Sequence, residues 1–169
     1  LVVDAAGAGV VSLETGSASR ITTGGDGARA VQLTGTGSGE TQAVLAGRIE
    51  TSGTDAVGGL LALTDAASTA RARFTLQDGA VIATSGRAAD ALRISQAGSG
   101  ATTLATTGAS LATTGDDAAG IRLTRTAAGT FTGVLDGVIR TGGADAQAVA
   151  MTLGTGAATN AFDDIEVAQ

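Results

Sequence analysis

A stretch of fourteen residues recurs five times in this chain, and this repeat constrains the fold more than any other feature. The copies begin at Ile21, Ile49, Ile82, Leu111 and Ile139, so successive copies are 28, 33, 29 and 28 residues apart. The copy that begins at Ile49 requires a two-residue insertion near Gly58 and Gly59. A period of about 30 residues is typical of solenoids in which each repeat forms one coil of short strands.

Each copy opens with an alternating pattern that predicts a strand on the first side of the coil. The opening residue is aliphatic and the residue two positions later is always threonine: Thr23, Thr51, Thr84, Thr113, Thr141. Because side chains alternate along a strand, both columns should point inward. The column between them is mixed and should point outward: Thr22, Glu50, Ala83, Ala112, Arg140.

A glycine follows in all five copies and predicts a corner with positive φ: Gly25, Gly53, Gly86, Gly115, Gly143. A second strand should start after a small residue (Ala28, Ala56, Ala89, Ala118, Ala146), with these inward pairs: Val31/Leu33, Leu61/Leu63, Leu92/Ile94, Ile121/Leu123, Val149/Met151. A weaker third strand is expected over residues 43–45, 74–76, 103–104 and 131–135, and residues 35–39 and 96–100 should be loops. Residues 1–3 fit a second strand, whereas residues 10–13 and 162–167 fit third strands.

These patterns predict an all-β protein, a right-handed parallel β-helix with three faces and about 5–6 coils of 28–33 residues. We expect one β-helix segment over residues 1–169, a fragment of a longer solenoid that starts and stops in mid-coil. Alanine, valine and leucine suit a narrow interior, and the only aromatic residues are three phenylalanines. The absence of proline suits a continuous hydrogen-bonded ladder.

Composition also narrows the function. The chain has no cysteine, which excludes disulfides and thiolate metal sites, and it has no apolar run of about 18 residues that would span a membrane. Its net charge is −6 and its ten basic residues, all arginine, are scattered, which disfavours nucleic acid as a partner. It also lacks histidine, lysine, tyrosine and tryptophan, so it has no Ser-His-Asp or Cys-His arrangement and no ring for stacking a sugar.

The repeat, with its Ile-x-Thr-x-Gly corner and following Ala-x-(Ala/Gly)-aliphatic-x-aliphatic-Thr, resembles the coils of autotransporter passenger domains. The copy that begins at Leu111 shows the resemblance clearly, and the resemblance extends over nearly the whole chain. Passenger domains are right-handed parallel β-helices exported through the bacterial outer membrane by a C-terminal barrel. Filamentous haemagglutinin-like adhesins use similar coils, as do phage tail fibres to a lesser degree. The resemblance concerns a scaffold, so it transfers no functional residues.

We therefore expect a structural or adhesive segment of a secreted bacterial surface protein that is not an enzyme and has no catalytic, cofactor or metal site. Its expected partners are neighbouring coils of a longer chain and a host surface or further copies of itself. The expected location is the bacterial cell surface, after export across the outer membrane. The alternative is a β-helix that binds or cleaves polysaccharide, of the carbohydrate-active or tail-fibre type.

Aspartates near the corner raise the possibility of a stacked calcium ladder: Asp26, Asp55, Asp116, Asp117, Asp145. We favour a turn role, in which the carboxylate binds backbone two residues on, because Arg87 and Ala88 interrupt the column in the third copy. Threonine ranks also invite comparison with ice-binding solenoids. The first rank should face inward, where its hydroxyls bond each other or the backbone. The column next to the second rank is irregular, so the second rank should form no flat, matched lattice. This second rank should face outward and consists of Thr34, Thr64, Ser95, Thr124 and Thr152.

A glycosidase needs two suitably spaced carboxylates. The candidate pairs, Asp116/Asp117 and Asp163/Asp164, are adjacent in sequence, so their members should point to opposite sides of an extended chain. Arg71 and Arg73, beside Phe74, could share a face, but a solvated loop edge is the preferred interpretation.

Overall fold

The computed structural model describes residues 1–154 and the backbone of residues 160–163 and 166–168, and within these ranges it contains β-strands and no helix. The strands are β1 Val2–Gly7, β2 Val10–Glu14, β3 Arg20–Gly24, β4 Arg29–Gly37, β5 Glu40–Leu45, β6 Arg48–Ser52, β7 Val57–Leu63, β8 Arg71–Leu76, β9 Val81–Ser85, β10 Leu92–Gln96, β11 Ala101–Thr113, β12 Ala119–Arg125, β13 Thr130–Thr141, β14 Gln147–Leu153, β15 Asn160–Asp163 and β16 Glu166–Ala168. The described residues therefore include no membrane-spanning helix.

The strands stack in parallel as a β-solenoid of about five turns, which confirms the predicted β-helix architecture. The first face contains β3, β6, β9, the ends of β11 and β13, and β16. The second face contains β1, β4, β7, β10, β12 and β14. The third face contains β2, β5, β8, the beginnings of β11 and β13, and β15. Strands β11 and β13 run from the third face into the first, and their register shifts between Thr106 and Ala109 of β11.

The two inward columns of the first face are confirmed. Ile21, Ile49, Ile82, Leu111 and Ile139 lie in register in successive coils, and so do the five threonines two positions later. From Ile49 onward the aliphatic side chains are buried in the common core, and Ile21 packs against it. Burial of each such side chain contributes about 1.5–3 kcal/mol, so stacking the coils stabilises each of them.

The predicted insertion near Gly58 is wrong. On the second face Leu33 pairs with Leu61 and Val31 with Gly59, so β7 follows β4 without a gap. Gly59 occupies the inward position that Leu61 was expected to take, and a Cβ there would stand 2.7 Å from Leu92 and 2.8 Å from Phe74. Neighbouring side chains thus fill the space that the glycine leaves, and the sequence pattern could not show this.

The same register changes the second threonine rank. Ala62 pairs with Thr34 and with Ser95, whereas Thr64 lies beyond the end of β7. The outward rank on the second face therefore reads Thr34, Ala62, Ser95, Thr124, Thr152. An alanine interrupts the rank, which leaves no continuous lattice of hydroxyl groups.

The predicted third strands are present in β5, β8, β11 and β13, and the predicted strands near the start of the chain correspond to β1 and β2. Three boundary predictions are wrong. Strand β4 continues through Gly37, and Gln96 is the last residue of β10, so the predicted loops are shorter. The expected strand over residues 162–167 is two strands, because β15 pairs with the third-face half of β13 and β16 with the first-face half.

The corner glycines adopt positive φ as predicted at Gly25, Gly53, Gly86 and Gly143, with φ between 110° and 126°, but not at Gly115. A Cβ on Gly115 would stand 1.7 Å from the carbonyl oxygen of Gly86 in the preceding coil. Close approach of the two backbones, and not positive φ, therefore requires glycine at Gly115. Positive φ also occurs two residues after the corner glycine in later coils, at Asp55, Ala88, Asp117 and Asp145.

The inward threonines differ in their hydrogen bonds. Thr84 donates from Oγ1 to the carbonyl oxygen of Ala89 at 2.6 Å. The hydroxyl oxygens of Thr23, Thr51 and Thr113 are buried without a hydrogen-bond partner. The expectation that these hydroxyl groups bond each other or the backbone is therefore wrong at three of the positions.

We expect Thr113→Val to raise the free energy of unfolding by about 1 kcal/mol, because valine has the same shape and removes an unpartnered buried hydroxyl. Thr84→Val should lower it by a similar amount, because the carbonyl of Ala89 then loses a donor. Urea denaturation of the two variants measures both effects. Equal changes in the free energy of unfolding for the two substitutions would contradict this account of the threonine column.

Candidate functional site

Two of the five corner aspartates, Asp26 and Asp116, bind the backbone of the next coil and not, as expected, the backbone of their own turn. Oδ1 of Asp26 accepts a hydrogen bond from the backbone N of Thr54 at 2.9 Å, and Oδ1 of Asp116 accepts one from the N of Ala144 at 2.7 Å. Both partners lie 28 residues further along the chain. These two carboxylates therefore accept hydrogen bonds from backbone amides at the corner, where neighbouring coils meet.

The corner also contains an exposed ion pair, in which Nε of Arg87 lies 3.0 Å from Oδ2 of Asp117. The two adjacent carboxylates of Asp116 and Asp117 thus have different partners, one a backbone amide and the other an arginine. In the described part of the chain, no three acidic side chains converge in a way that could hold a metal ion. Asp164 lies outside the described residues, and only the backbone of Asp163 is described.

A buried carboxylate at the corner before β10 organises a cluster of charges that our sequence analysis did not predict. The side chain of Asp90 is fully buried and lies 2.7 Å from Nε of Arg93 and 2.9 Å from Nε of Arg122. Its Oδ1 also accepts hydrogen bonds from the backbone N of Ala119 and from Nη2 of Arg122. Hydrogen bonding to Asp90 raises the pKa of Arg122 above its ordinary value.

A signal for this cluster is present in the sequence. Arg93 and Arg122 are register partners in adjacent coils, so two positive charges lie one strand spacing apart, about 4.8 Å. Two like charges at that distance repel unless a counter-charge lies between them. Asp90, three residues before Arg93, supplies it, with two further bonds from the arginines to the carbonyl oxygens of Ala88 and Asp117.

The solenoid interior contains two polar side chains in one column, Gln96 of β10 and Arg125 of β12. The side-chain amide of Gln96 donates to the carbonyl oxygen of Gly100, and Nη2 of Arg125 donates to that of Gly129. Gly100 and Gly129 directly precede the register partners Ala101 and Thr130. The two side chains therefore hold equivalent turns between the second and third faces, and burial lowers the pKa of Arg125.

On the first face, Glu50 bridges two arginines. Its carboxylate lies 2.8 Å from Nε of Arg48 and 2.5 Å from Nη2 of Arg20. The hydrogen bond from Arg48 is the main cause of the lowered pKa of Glu50. An open groove of about 320 Å³ runs beside Glu50, and apart from Glu50 and Ala83 it is lined by threonine and serine side chains. Glu50 is the charged residue that lines this groove, and its carboxylate is already paired with Arg20 and Arg48, so we assign the groove no ligand.

Arg71 and Arg73 lie in strand β8, so their assignment to a loop edge is wrong. Both side chains point outward from the third face and are exposed, whereas Ala72 and Phe74, which alternate with them, are buried. Neither guanidinium group forms a hydrogen bond or an ion pair with any described residue. A groove of about 270 Å³ lies beside them, lined also by Glu40, Ala101 and Thr103.

Comparisons with models of known protein families, with curated proteins and with solved structures find no match to this chain.

Proposed function

We propose that this chain is a structural and adhesive segment of a secreted bacterial surface protein, a scaffold that extends and displays its faces. The observation that supports this proposal most directly is the stacking of successive coils in one parallel register. Each coil is held by its neighbours, so the molecule gains length without needing a larger core. Five turns at about 4.8 Å each span about 24 Å.

The division between inward and outward columns supports a display role. On the first face the inward column stays aliphatic or threonine, while the outward column changes freely between polar, charged and small residues: Thr22, Glu50, Ala83, Ala112, Arg140. Outward residues can therefore change without disturbing the core. A scaffold of this kind presents different surfaces on one backbone.

Export to the bacterial cell surface is part of the same proposal. It is supported by the resemblance of the repeat to autotransporter passenger coils and haemagglutinin-like adhesins. The absence of cysteine is compatible with passage through an oxidising compartment. The adhesive partner would be a host surface or another copy of the chain.

Display on a bacterium tests the adhesive role. The chain is fused to an outer-membrane barrel, and attachment of the cells to host cells and to each other is compared with cells that display the barrel alone. We expect more attachment or clumping with the chain. Equal attachment, with the chain detected intact at the surface, would contradict the proposal.

The competing hypothesis is an enzyme that cleaves polysaccharide. A screen of the purified chain against acidic and neutral polysaccharides tests it by measuring new reducing ends. Under our proposal no turnover is expected. Turnover that is abolished by Asp116→Asn or Asp117→Asn would establish the enzyme and overturn the purely structural role.

A further inference from the structure

The outward side of the third face contains two arginines, Arg71 and Arg73, whose guanidinium groups make no hydrogen bond or ion pair with any described residue. Arg71 and Arg73 project on the same side of β8, about 7 Å apart along the strand. The five arginines in the ion pairs of the described residues are Arg20, Arg48, Arg87, Arg93 and Arg122. Arg71 and Arg73 thus leave two guanidinium groups available to a ligand.

The neighbours of the pair are polar but do not neutralise it. Glu40 is the register partner of Arg71 in the preceding coil, yet the two form no ion pair. The partners of Arg73 are Gln42 on one side and Thr103 on the other, both uncharged. Arg73 is therefore the less compensated of the two positive charges.

The shape of the surface indicates what kind of molecule fits. The groove beside the arginines is open, and the next coil lines it only with the small side chains of Ala101 and Thr103. Phe74, the nearest aromatic residue, is 2 % exposed and cannot stack on a ligand. The site therefore offers two forked cations, an amide and a hydroxyl group on a flat face, which suits an extended polar polymer better than a small molecule.

We propose that this surface, defined by Arg71, Arg73, Gln42 and Thr103, binds an acidic polysaccharide. Guanidinium groups bind carboxylates and sulfates through paired hydrogen bonds, while Gln42 and Thr103 can donate to and accept from sugar hydroxyls. The chain has a net charge of −6, so its overall field repels polyanions and attraction must come from this local pair. The inference deepens the proposed adhesive function, on which it rests, by naming the ligand class.

Titration of the purified chain with polygalacturonate at low salt tests the site. Dextran sulfate, neutral dextran and poly-glutamate serve as comparison polymers. We expect binding of polygalacturonate or dextran sulfate that weakens about tenfold or more in the double variant R71Q/R73Q. The sulfated and carboxylated polymers show which anion the site prefers, and loss of binding in the double variant with either one supports the proposal.

Two single variants sharpen the test. R140Q removes the same charge from the outward column of the first face and should leave binding unchanged. E40Q removes the carboxylate beside Arg71 and should tighten binding severalfold. Circular dichroism checks that each variant keeps its β-structure. We expect that it does, because the substituted side chains lie on the outside of the solenoid.

Three outcomes would overturn the inference. The first is no binding of either acidic polysaccharide by the folded chain, and the second is equal loss of binding in R140Q. The third is equally tight binding of poly-glutamate, which would assign the surface to acidic peptides. None of these outcomes bears on cell attachment, so the display experiment still tests the adhesive role separately.

Discussion

Asp90→Ala should lower the free energy of unfolding by about 3 kcal/mol, because it removes the buried carboxylate that both Arg93 and Arg122 contact. The carboxylate is fully buried and also accepts a hydrogen bond from the backbone N of Ala119. The effect should lie at the lower end of the range for buried ion pairs, since the side chains of Arg93 and Arg122 are 28 % and 35 % exposed and water can reach them.

Asp117→Asn is the matched control for a charge at the surface. Its ion pair with Arg87 is exposed on both sides, so the loss should be below about 1 kcal/mol. Asparagine also tolerates the positive φ of 58° at this position, so the substitution removes the charge without adding strain. Urea denaturation of both variants gives the comparison, and similar losses would show that Asp90 does not organise a buried cluster.

Gly115→Val should cost about 3 kcal/mol, the second large effect that we expect. The reason is steric: a Cβ at Gly115 would lie 1.7 Å from the carbonyl oxygen of Gly86, so two coils would have to move apart. Ala112→Val, three residues earlier on the outward side of β11, should be nearly neutral because β-branched residues suit strands. Thermal melts of the two variants measure the difference.

Glycine can be required at a corner by positive φ or by close approach of two coils, and Gly25→Val tests the first of these reasons alone. Gly25 has a φ of 110° but no atom within 4 Å of its Cβ position, so valine there adds backbone strain without a clash. We expect a loss of about 1–3 kcal/mol. If the Gly115→Val variant melted at the same temperature as the parent protein, our interpretation that two coils approach closely at Gly115 would be wrong.

The polar cluster shows why local patterns miss parts of a solenoid surface. Arg93 and Arg122 are visible in the sequence as members of an outward column, and outward arginines are usually solvated. What makes Asp90 fully buried is its position at a corner between two coils, where Arg122 reaches back across a strand spacing. That arrangement depends on which residues lie opposite each other, and the repeat alone does not show the contact.

Sequence patterns were sufficient to predict the parallel solenoid, the inward aliphatic and threonine columns of the first face and a corner glycine in each coil. It could do so because the period, the two-residue alternation and the glycine all express local preferences that every coil repeats. The register of β7, in contrast, depends on packing between coils, because Phe74 and Leu92 fill the space above Gly59. Packing between coils also determines that Gly115 is required by close approach, that three inward threonine hydroxyls of the first face lack partners, and that Arg71 and Arg73 lie exposed on a strand face. Each of these depends on contacts between residues about 30 positions apart, which stacking creates and which no single repeat contains.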